Sequence, residues 1–119
     1  MPKKQAAPPP GAGVTVDRAT RLLRLIRLLG TGPQQRSSIT RKLRLGIRGY
    51  YRDLEVIRSV GIVIEFSNGR YRLVDEVNFA IERLPFPDPG LNVGEARTLA
   101  KGRSAAHKRI REQLVHIER

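Results

Sequence analysis

Cysteine is absent from the 119-residue chain, which excludes a disulfide framework, a thiolate metal site and a cysteine nucleophile. Long apolar runs are missing too, and nothing approaches the roughly 20 residues that span a bilayer. Lys3 and Lys4 precede only the proline-rich stretch 6–13, whereas a signal peptide needs an apolar core after its positive start. An intracellular, cytoplasmic protein is expected. Histidine is limited to His107 and His116, which lack the i, i+4 spacing of a metal pair on a helix. Gly30-Thr31-Gly32 has no downstream Gly-Lys-Ser/Thr and so is no phosphate-binding loop. The acidic residues are few and scattered and nominate no acid/base pair. These gaps argue against an enzyme, a cofactor and a small-molecule ligand.

Positive charge is what the chain has in excess: its formal net charge is +12. Residues 17–74 hold thirteen Lys/Arg against four Asp/Glu, a net of +9, while 75–119 hold eight against seven. Charge concentrated on one segment attracts polyanions, and nucleic acid is the commonest inside a cell. A basic surface kept for solubility is the plainer alternative. An anionic membrane fits less well, since no long basic helix carries Trp or Phe on an apolar face.

Hydrophobic spacing divides the chain into four parts. Residues 1–16 are rich in Ala, Pro and Gly and are expected to be a disordered tail. Residues 17–74 form the expected domain. Its first helix starts at Asp17, as cap, and carries the stripe Leu22, Leu25, Ile26, Leu29 before Gly30 and Pro33 stop it. A short second helix spans about 38–43, with Ser37 as cap and Ile39 and Leu43 buried. Arg44-Leu45-Gly46 is a turn of the length that joins two helices steeply. A third helix follows over about 47–60, with Tyr50, Leu54 and Ile57 inward and Arg48, Arg52, Glu55 and Ser59 outward. Two β-prone runs, 62–66 and 70–74, flank Asn68-Gly69, a strong hairpin signal. Residues 75–92, with Pro85, Pro87, Pro89 and Gly90, are expected to be an irregular connector. Asn92 then caps a single final helix over 93–118 within the last segment, 93–119, with Leu99, Ala106, Ile110, Leu114 and Ile117 on one face. The expected fold is α+β and mainly helical: a winged helix-turn-helix of three helices and a hairpin, plus one C-terminal helix.

Residues 39–54, Ile-Thr-Arg-Lys-Leu-Arg-Leu-Gly-Ile-Arg-Gly-Tyr-Tyr-Arg-Asp-Leu, resemble the helix-turn-helix of DeoR-type and WYL-domain bacterial transcriptional regulators. A typical stretch there reads LAEELGVSRRTIYRDL, and Tyr51-Arg52-Asp53-Leu54 is the most specific part. The likeness continues through Gly61-Ile62-Val63-Ile64-Glu65 and Gly69-Arg70-Tyr71-Arg72-Leu73, and Leu91 to Ala96 resembles the segment after the wing in WYL regulators. It covers roughly residues 18–100. In this chain Gly46 stands where the family has a capping Ser, and Ile47 and Gly49 stand where it has Arg and Thr. The chain ends where the family's sensor domain would begin.

The resemblance implies a regulator that reads double-stranded DNA, located at the nucleoid. Its third helix would enter the major groove N-terminus first, bringing Ile47, Arg48, Tyr51 and Arg52 to the DNA. Arg48 is the candidate base contact, because a guanidinium pairs bidentately with guanine. Tyr51 and Arg52 would touch the sugar-phosphate backbone, as would Arg41 and Lys42 at the end of the second helix. Asn68, Arg70 and Arg72 would approach the flanking DNA from the wing, although turn chemistry alone explains Asn68-Gly69. The helix over 93–118 either pairs two copies as a homodimer or folds back on its own domain. The alternatives are an architectural nucleic-acid binder without sequence preference and a winged-helix protein-interaction module.

Overall fold

The computed structural model describes residues 14–87, 91–102 and 105–118. The expected tail therefore lies outside the described residues except at its end, which is ordered. Val14 is buried, and the Thr15 hydroxyl accepts a hydrogen bond from the Arg18 amide, so Thr15 rather than Asp17 caps the first helix.

Helix α1 (Val16–Gly30) buries Leu22, Leu23, Leu25, Ile26 and Leu29 and forms the spine of the core. It runs through Gly30, which is helical rather than left-handed: a side chain there would lie 2.5 Å from Val77, so the glycine serves close approach. Helix α2 (Arg36–Leu43) begins two residues before the expected start, with Gln35 rather than Ser37 at its N-cap, and no side chain caps it. It ends with Arg44 in the left-handed region, φ 52°, and the Leu45 amide bonded back to the Thr40 carbonyl. The turn's reversal thus falls on Arg44, and Gly46 serves as the N-cap of helix α3 (Ile47–Ser59). Gly61, at φ 88°, closes α3, with the Ile62 amide donating to the Ile57 carbonyl.

Strands β1 (Ile64–Ser67) and β2 (Arg70–Leu73) pair antiparallel around Asn68 and Gly69, both at positive φ, as a two-residue hairpin loop requires. Tyr71 and Leu73 face the core while Arg70 and Arg72 face outward. Gln34 bridges Tyr71 on the far side of β2, through paired backbone bonds of 2.9 and 2.7 Å, and so pins the hairpin to the start of α2.

The second half departs most from expectation. Residues 75–92 contain helix α4 (Val77–Arg83), capped by the Glu76 carboxylate, whose Ala80 and Ile81 are buried. Leu84 and Phe86 are buried as well, so this segment belongs to the core; Pro89 and Gly90 lie outside the described residues. In place of one C-terminal helix there are two, α5 (Val93–Leu99) and α6 (Ala105–Glu118). Asn92 caps α5 as expected, through a reciprocal capping box with Glu95. Helix α6 packs on α1 and α5, burying Leu114 and Ile117, while Leu99 is left exposed; the side chain of Ala106 is outside the described residues. The Arg97 guanidinium ties Glu82 of α4 to Glu118 of α6, and Arg27 of α1 donates to the Glu118 carbonyl. The fold is α+β and mainly helical, with one hairpin, compatible with a winged helix followed by C-terminal helices. Among the described residues no helix is long and apolar enough to cross a membrane.

Candidate nucleic-acid interface

The buried side of α3 is made by Tyr50, Asp53, Leu54 and Ile57. Helical geometry therefore turns Ile47, Arg48, Tyr51 and Arg52 outward, and all four are exposed. Ile47 is 54% exposed, an apolar side chain offered to solvent at the first turn. Gly49 leaves room for the Leu45 side chain, since a Cβ there would sit 2.8 Å from its Cδ1.

Asp53 sets the orientation of this face. Its carboxylate is fully buried and receives Arg18 Nε at 3.1 Å, Arg21 Nε at 2.6 Å and Arg21 Nη2 at 2.9 Å. The hydrogen bond to Asp53 raises the Arg21 pKa above the ordinary guanidinium value. The arrangement fixes α3 to α1 at a chosen rotation, because the bidentate fork is directional. Spacing gave no hint of it: Asp53 lies in the family-like Tyr-Arg-Asp-Leu stretch, but its partners are more than thirty residues away on α1.

The cations divide by whether the fold already uses them. Arg18, Arg21, Arg27, Arg97 and Arg111 are engaged in ion pairs or in hydrogen bonds to backbone carbonyls. Arg72 is also engaged, 2.5 Å from Glu65 across the strand pair. By contrast Arg41, Lys42, Arg48, Arg52 and Arg70 are exposed and have no side-chain partner among the described residues. Of the sequence-predicted residues, these five offer unneutralised charge, and Arg41 and Lys42 stand one short turn before Arg48. Asn68 is exposed at φ 54°, so turn geometry accounts for it.

Tyr51 connects the exposed face of α3 to the hairpin. Its hydroxyl accepts from Arg36 Nη1 at 2.9 Å, which lowers the Tyr51 pKa from the ordinary 10.0. Tyr50 behind it is buried, and that burial raises its pKa. The Tyr71 ring sits edge-on to Tyr50 at 5.4 Å, and Phe66 packs on Tyr71 at 4.6 Å. Phe66 was not singled out from the sequence. The hairpin register, counted outward from Asn68-Gly69, would have put Phe66 opposite Tyr71 on one face.

No group of three or more His, Cys, Asp or Glu side chains that could hold a metal ion occurs among the described residues. No protein-family model, curated protein or solved structure matches the chain.

Proposed function

We propose that this protein binds double-stranded DNA as a non-enzymatic regulator of transcription of the winged helix-turn-helix class, with α3 in the major groove and the β1–β2 hairpin as the wing. The observation that carries the reading is the unpaired cation set on α2, α3 and β2, beside a recognition face held rigid by Asp53. Unengaged Arg and Lys side chains release counterions on meeting phosphates, which drives association. Arg48, in the first turn of α3, is the base-reading residue; Arg41, Lys42, Arg52 and Arg70 contact the backbone. The likeness to DeoR-type and WYL regulators supports the same assignment. A homodimer, if formed through the C-terminal helices, uses the outer side of α6, where Val115 is 56% exposed, because Leu114 and Ile117 are already covered.

The test is a titration of the whole chain against selected and random duplexes at two salt concentrations. Tight, salt-sensitive binding with a preference for the selected site is expected. Arg48→Ala should relax specificity at one position, and Lys42→Ala should weaken all sequences alike. Equal affinity for every duplex would reassign the protein to an architectural role. Absence of duplex binding at low salt would overturn the reading and leave the interaction module.

A further inference from the structure

Beside the recognition face lies a groove of about 430 Å³ between the start of α2 and the hairpin, within the size range of small-ligand sites. Its walls are unusual for a surface that meets only duplex phosphates. Phe66 is 58% exposed and Tyr51 42% exposed, while the rings behind them, Tyr71 and Tyr50, are buried. The two exposed rings thus have a rigid aromatic backing, and Arg36 holds the Tyr51 hydroxyl. The lip is Gly69, where a side chain would meet nothing within 4 Å, so the entrance is open. No acidic residue lines the groove. Its chemistry is two aromatic rings and one exposed guanidinium, suited to a ligand that is flat at one end and anionic at the other.

We propose that this groove seats one unpaired nucleotide of bound DNA, its base against Phe66 and Tyr51 and its phosphate on Arg36. This deepens the duplex-binding reading and rests on it for the approach of DNA to this face. Bases within a duplex offer only their edges, because their faces are stacked on one another; a ring platform gains contact only from a base that has left the stack. Such platforms tolerate any base, since each has a π-face. The site therefore adds a preference for frayed or locally opened DNA without adding sequence specificity.

The experiment compares fluorescence anisotropy of the full chain with a blunt duplex, with the same duplex carrying non-complementary ends, and with oligothymidine. The frayed duplex is expected to bind about five- to tenfold more tightly than the blunt one. Phe66→Leu keeps apolar cover over Tyr71 but removes the ring; it should abolish this preference and leave blunt-duplex affinity within about twofold, whereas Phe66→Trp retains both. A readout on the unaltered protein is 2-aminopurine at the unpaired position, whose fluorescence should be quenched on binding while a paired probe is unchanged. Equal affinity for the blunt and frayed duplexes, an unquenched probe, or a preference that survives Phe66→Leu overturns the nucleotide seat and leaves duplex binding standing. Binding of the frayed duplex and oligothymidine without the blunt duplex supports the seat and overturns the duplex reading. No binding to any of the three overturns both.

Discussion

Tyr50 carries, among the described residues, a buried hydroxyl with no hydrogen-bond partner. Such a group keeps its desolvation penalty and gains nothing for it, whereas a phenylalanine fills the same space without the penalty. Tyr50→Phe is therefore expected to stabilise the protein by about 1 kcal/mol, seen as a higher urea midpoint at unchanged slope. The same burial predicts a pH effect. The folded Tyr50 pKa lies above the ordinary 10.0, so below that pH both folded and unfolded states hold the proton and stability does not vary with it. As pH rises above 10.0 the unfolded chain ionises first and stability falls, by up to about 1.4 kcal/mol per pH unit. Unfolding free energies of wild type and Tyr50→Phe from urea titrations across that range should differ in slope by up to this amount; parallel curves would show that Tyr50 is not the group responsible. Asp53 is the opposite case, a buried charge satisfied on every side the structure offers. Removing it strands two arginines, so Asp53→Ala should cost about 3 kcal/mol, near the lower end for a broken buried pair because both arginines keep some access to water. Arg18→Ala should cost less than Arg21→Ala, since Arg21 supplies two of the three hydrogen bonds.

Elements with one strong periodic face were legible before any coordinates. In α1 the stripe Leu22, Leu25, Ile26, Leu29 is buried as spacing required, and in α3 Tyr50, Leu54 and Ile57 are. The hairpin followed from Asn68-Gly69. The outward placement of Arg48, Tyr51 and Arg52 was equally readable, because a helix with one face buried has its other face settled. What failed lay where the signal was short or discontinuous. Helix α4 has seven residues, too few for a repeating stripe, and a Glu at its N-cap instead of the usual Ser, Thr, Asp or Asn; the nearby prolines dominated that window. The break between α5 and α6 was hidden because the apolar spacing from Leu99 to Ile117 continues across it. Only Gly102 marked the place, where a Cβ would lie 2.3 Å from the His107 ring. Long-range pairing is invisible to spacing altogether, which is why the Asp53 contacts emerged only from the structure, whereas the register that sets Phe66 opposite Tyr71 also sets Glu65 opposite Arg72. The break matters energetically because it lets α6 turn back onto α1. Leu114→Ala and Ile117→Ala should each cost about 2–4 kcal/mol, lowering the midpoint of one cooperative transition. Substitutions that cost under about 0.5 kcal/mol, as at solvent-facing sites, would mean that α6 is not docked.

Over the whole molecule, net charge matters less than which cations remain uncommitted after folding. Arg41, Lys42, Arg48, Arg52 and Arg70 are uncommitted, and on the proposed reading the four that meet phosphates, all but Arg48, imply a slope of log affinity on log salt near about −3.6 for duplex DNA. Lys42→Ala should reduce that slope by about 1. Arg72 offers a sharper check, because its charge is opposed by Glu65 at 2.5 Å while both side chains remain half exposed. In the wild type, Arg72→Ala removes a cation already neutralised and should change the salt slope little. Glu65→Gln releases Arg72 for the DNA and should raise low-salt affinity and steepen the slope. Loss of a negative charge near DNA would raise affinity by itself, so the deciding comparison is Arg72→Ala made in the Glu65→Gln background. If folding commits Arg72 to Glu65, that second substitution lowers the slope by about 1 although it does almost nothing in the wild type. If Arg72→Ala has the same effect in both backgrounds, the pair does not restrain the arginine, and counting uncommitted cations is the wrong way to locate the surface that meets DNA.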